Sequence, residues 1–249
     1  GADVNAIDIG GWTALLHACD DGHEGIVSKL LQAGADVKAS RIGFTALMKA
    51  CDKGYNRVVQ QLIAAGADVY CVHHHCPSIT VLTLAISSGH TEIVKTLLEA
   101  RACLSSGNLV SSAELIEASK KGDEEILKLL IEAGADLDAE DHNGQTALMI
   151  ACQEGHQVVV DQLIIAGVGI NYKDRCGDTA LMIACKFDYK RRLDFGDTAR
   201  MTENKKSHKH LVKQLLEAGA DIDIVDKNGK TAFDIAQASG NTEVITMLE

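Results

Sequence analysis

The sequence predicts an all-α solenoid, in which helix pairs stack on one another and are joined by short, projecting, β-hairpin-like loops. Three observations predict it. Threonines recur at Thr13, Thr45, Thr80, Thr146, Thr179 and Thr231, with Ala113 in the fourth place, at spacings of 32, 35, 33, 33, 33 and 52 residues. Apolar residues follow each of these positions at helical spacing, and a glycine, often in Gly-Ala-Asp, closes most periods. A period near 33 residues is too short for a self-contained core, so each helix pair must bury its apolar face against the next.

The most regular copy runs from Asp141 to Ala166, DHNGQTALMIACQEGHQVVVDQLIIA. It reads as a turn, a helix opened by Thr146, a break at Gly155 and a second helix that ends before Gly167. In the first repeat, about Ile7 to Ala39, Thr13 caps a helix through Leu15, His17 and Ala18. After the break at Gly22 and His23, Ile26, Val27, Leu30 and Leu31 are expected inside, and Gly34 turns the chain onward.

The second repeat, Ser40 to about Cys71, carries Leu47, Ala50, Val58, Val59, Leu62 and Ile63. The third runs to about Leu104, and its longer approach loop holds His73, His74, His75, Cys76 and Pro77. The fourth, Ser105 to Ala139, is degenerate: Arg101 stands for the bend glycine, Ser111 for the glycine before the helix and Ala113 for the threonine. Its helical interior survives in Leu115, Ile116, Ala118, Ile126, Leu127, Leu129 and Leu130.

The sixth repeat begins near Tyr172 and is longer than the others. Thr179 to Gly219 spans 40 residues against 21 from Thr13 to Gly34, so 19 extra residues lie between its helices. They are expected as a loop over residues 187–206, with the second helix resuming near His208. The last repeat, opened by Thr231, leaves Phe233 and Leu248 as apolar candidates for a terminal face. The sequence starts with Gly1-Ala2-Asp3, partway through a repeat, and so reads as a piece of a longer protein, with residues 1–249 as one repeat domain of about seven units.

These features resemble the ankyrin repeat family over essentially the whole chain except the sixth-repeat insertion. The resemblance rests on Gly-x-Thr at Gly11–Thr13, Gly43–Thr45, Gly144–Thr146, Gly177–Thr179 and Gly229–Thr231, and on Gly-His at Gly22, Gly89 and Gly155. In place of the family's Thr-Pro-Leu-His, this chain prefers Thr-Ala-Leu-Met, as at Thr45–Met48, Thr146–Met149 and Thr179–Met182. The threonine cap survives that change, while packing must do more of what the histidine's hydrogen bonds would do. The resemblance implies a noncatalytic scaffold or targeting module that binds a protein or peptide on the concave face formed by hairpin tips and first helices.

Residues one place before the threonines are expected to project at the bend tips: Trp12, Phe44, Ile79, Ser112, Gln145, Asp178 and Lys230. The first three are apolar, a gradient that packing of equivalent repeats does not require. Either these side chains cover neighbouring bends, or Trp12, Ile42, Phe44 and Ile79 meet a partner. Asp20, Asp21 and Asp52 at first-helix ends would then face basic groups of that partner, and His142 in the fifth bend joins the candidate contacts.

Net charge is −11, from 24 Lys plus Arg against 35 Asp plus Glu, which disfavours nucleic acid as a partner. The one basic neighbourhood is the insertion. Lys190, Arg191, Arg192, Arg200, Lys205 and Lys206 could attract an anion or phosphate, an alternative ligand-sensing reading; a structural spacer in a larger protein is a third. Four of eight cysteines, Cys19, Cys51, Cys152 and Cys185, recur at one place in their repeats, which marks them as small packed hydrophobes and points to a reducing, intracellular, cytoplasmic setting. No run of apolar residues is long enough for direct membrane insertion. His73, His74, His75 and Cys76 raise a metal suspicion that adjacency alone does not support, and neither a metal nor another cofactor is expected. Oligomeric state is not readable.

Overall fold

The computed structural model describes residues 2–104, 110–186 and 198–249; at 102, 104 and 198–207 only the backbone is described. The chain divides into two compact units, Gly1–Glu117 and Ala118–Glu249. Among the described residues no helix is long and apolar enough to cross a membrane.

The first unit is built of α1 (Ala14–Asp20), α2 (Glu24–Gln32), α3 (Ala46–Lys53), α4 (Asn56–Ala64), α5 (Val81–Ser87) and α6 (Thr91–Leu104), and the opening of α7 (Ser112–Lys121). First helices stack on first helices, α1 on α3 and α3 on α5, and second helices on second helices, α2 on α4 and α4 on α6. The buried residues are the small and branched ones of the repeat: Leu15, Leu16, Ala18 and Cys19 in α1, then Ala46, Leu47, Met48, Ala50 and Cys51 in α3. Two hairpins project. Strands β1 (Ser40–Arg41) and β2 (Phe44–Thr45) pair antiparallel, as do β3 (Val72–His73) and β4 (Cys76–Thr80).

The second unit holds α8 (Glu124–Glu132), α9 (Ala147–Glu154), α10 (Gln157–Ile165), α11 (Ala180–Cys185), α12 (Thr198–Glu217), α13 (Ala232–Ser239) and α14 (Thr242–Leu248). The same rule governs it, with α9, α11 and α13 in one row and α8, α10, α12 and α14 in the other.

The recurring threonines open the first helices for a reason visible in each repeat. Each has extended backbone, and its Oγ1 accepts the N–H three residues on: Leu16, Met48, Thr83, Met149, Met182 and Asp234. One otherwise orphaned helix-start donor is thereby satisfied. The methionine of Thr-Ala-Leu-Met is wholly interior, with Met48, Met149 and Met182 each no more than 1% exposed.

The helix reversals carry an inter-repeat contact. Gly54 ends α3 at φ 84°, and the His90 ring of the next repeat lies over it, its Nε2 donating to the Asp52 carbonyl at 3.2 Å. A Cβ on Gly54 would stand 2.6 Å from that ring. Two costs therefore coincide, left-handed backbone and lost space. Gly54→Ala is expected to lower stability by about 1–3 kcal/mol, measured as a shift in denaturant midpoint. His156 repeats the arrangement on Gly122 and the Lys120 carbonyl. The repeated histidine is thus a structural staple.

Three expectations need correction. Ile26 is 49% exposed, while the next residue, Val27, is the one that α2 buries. Leu248, expected on an open face, is buried at 7% exposure. Helix α12 starts at Thr198 and not near His208, so the helix takes in residues assigned to a loop over 187–206. Residues 198–207 contain no glycine or proline to stop a helix propagating back from its packed half. Residues 187–197, including Lys190, Arg191 and Arg192, lie outside the described residues, as do the side chains of Arg200, Lys205 and Lys206.

Candidate functional site

The residue before each threonine does not sit at the bend tip. In the β1–β2 hairpin Arg41 pairs with Phe44, so Ile42 and Gly43 form the tip and Phe44 lies on the returning strand. A two-residue hairpin loop leaves no other arrangement. Asp178 shows the same placement most clearly: it is buried, with its Oδ2 on the Lys186 ammonium.

Ile42 adopts φ 51° and is the only non-glycine residue with positive φ among those described. Two-residue loops of this kind favour Asn-Gly, because a β-branched side chain clashes with left-handed backbone. Ile42 is also 66% exposed, so neither local geometry nor burial accounts for it. Its carbonyl is held by His73, whose Nε2 donates to it at 2.9 Å.

Trp12 is locked from below. Asp8 accepts the Trp12 backbone N–H on Oδ1 and the His17 Nε2–H on Oδ2, both at 2.9 Å, and these bonds hold the Asp8 carboxyl below its ordinary range, the His17 bond most strongly. His17 stacks on the indole with ring centroids 4.9 Å apart. Above it, the Arg41 guanidinium lies 5.0 Å from the ring centroid, while its Nε donates to the Gly10 carbonyl. The Lys49 ammonium is 5.2 Å from the Trp12 ring and 5.4 Å from Phe44. Trp12, Leu16, Arg41, Ile42, Phe44 and Lys49 enclose a pocket of about 210 Å³.

The structure thus gathers Trp12, Ile42 and Phe44 into one place. Asp20 is at its edge, with Oδ1 3.3 Å from Lys49 Nζ. Asp21 is exposed at the end of α1, and Asp52, near the end of α3, is approached by the Ser88 hydroxyl at 3.5 Å. Ile79, half-buried on β4, does not line the pocket. His142 is exposed in the turn of the second unit that the Glu140–Thr146 bridge closes. Arg41 and Lys49 were missed in the sequence. Their only signal is position: Arg41 precedes the apolar tip residue, and Lys49 lies four residues into the first helix, where the other two Thr-Ala-Leu-Met copies carry Ile150 and Ile183.

The histidine-rich loop is a hairpin pin. His73 is buried, its Nε2 bonded to the Ile42 carbonyl and its Nδ1 accepting the His75 N–H, while its ring meets Phe44 edge-on at 4.6 Å. Both ring nitrogens are thereby used. The group of possible metal ligands found among the described residues is Asp174, Cys176 and Asp178. Asp174 Oδ1 accepts the N–H groups of Cys176 and Asp178, and the Lys186 ammonium at Asp178 opposes a second cation.

Stacked helix pairs, threonine-opened first helices and projecting hairpins define a repeat module built to present a surface. The chain belongs to the ankyrin repeat family: the model described as Ankyrin repeats (3 copies) matches residues 1–73 and 115–195, Ankyrin repeats (many copies) matches 197–249, and Ankyrin repeat matches 79–109. No curated relative matches the chain. Among solved structures it is similar to the ankyrin repeat domain of human ASB11, with a TM-score of 0.76 and 23% identity over 96% of this chain and 98% of that one. The ankyrin repeat domain of Bcl-3, described as a unique member of the IkappaB protein family, gives the same TM-score of 0.76, 23% identity and coverage of 96% and 98%. Ankyrin repeats are noncatalytic modules for protein–protein interaction, and this chain has that general scaffold role.

Proposed function

We propose that the chain binds a protein partner through the hairpins and first-helix ends of the Gly1–Glu117 unit, with Trp12, Ile42 and Phe44 at the centre. Ile79 extends the apolar area, and Asp21 and Asp52 meet basic groups of the partner; Asp20 contributes less, its charge being matched by Lys49. His142, in the other unit, is a separate contact. The single observation that carries this reading is Ile42, a β-branched side chain kept exposed at φ 51° beside a pocket floored by two aromatic rings. Strain and exposure together persist where a binding surface uses them. An intracellular setting fits the eight free thiols.

The test is affinity for a protein recovered from cell extract, measured with the intact chain and with Trp12→Ala plus Phe44→Ala. Loss of at least about 30-fold is expected for a buried aromatic anchor, with the helical signal and unfolding midpoint checked separately. Unchanged affinity rejects this placement. His142→Ala in the same assay decides whether the second contact exists.

A further inference from the structure

The pocket between the first two hairpins joins two kinds of surface. Trp12, Leu16, Ile42 and Phe44 are apolar, while the charged residues that line it, Arg41 and Lys49, are both cations. We propose that it takes an acidic–apolar segment of a protein partner: one bulky apolar side chain enters beside Ile42, and an adjacent Asp or Glu side chain places its carboxylate on Arg41 and Lys49. This rests on the docking surface proposed above and adds the chemistry of what docks there.

The argument is charge complementarity within a small volume. About 210 Å³ holds a single side chain and falls below the usual size of a cofactor site. Arg41 is half-buried, with Nε committed to the Gly10 carbonyl, and it forms no ion pair among the described residues. Its remaining guanidinium donors are those suited to a two-pronged bond with a carboxylate. Lys49 is shared, with Asp20 on one side and the two rings on the other, so it can take a second carboxylate without moving far.

Both cations lie over aromatic rings and have already lost part of their water. A carboxylate restores that solvation, whereas a basic side chain here would add a third positive charge. Basic groups of the partner therefore belong at Asp21 and Asp52. A nucleic-acid phosphate fits poorly, since the floor is apolar and the chain carries a net charge of −11.

The full chain is panned against a random-sequence peptide display library. Single enriched peptides are then titrated against the unaltered protein and the variants Arg41→Gln with Lys49→Gln, Ile42→Asn and Trp12→Ala. The expected peptides carry Asp or Glu beside Phe, Leu, Ile or Trp. The Arg41/Lys49 double variant weakens them at least about tenfold, the difference shrinking in high salt. Ile42→Asn raises the unfolding midpoint while weakening binding, which separates lost contact from lost fold.

Peptides that need Trp12 but carry basic or uncharged neighbours, and ignore the Arg41/Lys49 change, overturn the acidic–apolar assignment and leave the docking surface standing. Peptides indifferent to Trp12→Ala overturn both, as does the absence of any enrichment.

Discussion

Glu114→Ala is expected to cost the chain about 3–5 kcal/mol of stability, because it breaks a buried ion pair by removing one partner. Glu114 is 1% exposed and Arg101 4%, and they pair at 3.2 Å in the Gly1–Glu117 unit. Glu114 Oε1 also accepts the Thr80 hydroxyl at 2.9 Å, and its Oε2 takes the Ser111 N–H and hydroxyl. Removing the carboxylate strips the buried guanidinium of its paired charge, since the Val69 carbonyl 3.3 Å from its Nε and the Tyr70 ring 5.0 Å from its Cζ are both neutral. It also takes the nearer acceptor from the buried Thr80 hydroxyl, leaving it the Thr83 Oγ1 at 3.4 Å.

A second variant separates charge from packing. Replacing both residues by methionine removes the charges together and is expected to recover most of the loss, because a buried pair gains little over apolar groups of similar volume. Denaturant titration checks both. A single-variant shift under about 1 kcal/mol would falsify the buried-pair account.

Alkaline pH is expected to unfold the protein through its repeated cysteines. Burial pushes the thiols of Cys19, Cys152 and Cys185 up to about 12, and that of Cys51 further still, from an ordinary 9.0. The folded form therefore holds its thiol protons more tightly than the unfolded chain. The stabilising difference is complete below pH 9 and is lost as pH rises from 9.0 toward the folded values near 12. Each thiol contributes a fall of up to about 1.4 kcal/mol per pH unit in that window.

Unfolding midpoints between pH 8 and 10 should decline accordingly, less steeply for Cys152→Ala. A flat profile would remove the claim. Alkylation gives an independent reading: exposed Cys76, Cys103 and Cys176 react in the folded protein, and the four buried thiols react only on unfolding.

Much of the architecture is legible along the chain because its causes are local. The threonine cap reaches three residues, and a glycine stop needs only its own φ, so both recur visibly at each period. The fourth repeat shows where that legibility ends. Arg101, Ser111 and Ala113 read as losses of bend glycine, helix glycine and cap. In the structure Arg101 lies within an extended α6 and meets Glu114, so the degenerate copy has exchanged a turn signal for a buried ion pair.

The candidate site was legible in part. Trp12, Ile42 and Phe44 stand out as apolar residues at loop positions, but the spacing puts Phe44 at the tip, whereas the strand pairing gives the tip to Ile42 and Gly43. The histidine run suggested ligands, yet His73 spends both ring nitrogens on protein partners. Arg41 and Lys49 are unremarkable as sequence; they matter only because Trp12, 29 residues before Arg41, lies beneath both.

By itself the amino-acid order determined the repeat, the pairing of short helices, the capping threonines and the interior cysteines, since each follows from periodicity or from chemistry reaching one helical turn. Only the tertiary structure decided that Ile42 bears left-handed backbone, that two cations flank the Trp12 pocket and that Arg101 answers Glu114. Those facts depend on side chains about one repeat or less apart in sequence meeting in space, and no local preference encodes which of them meet.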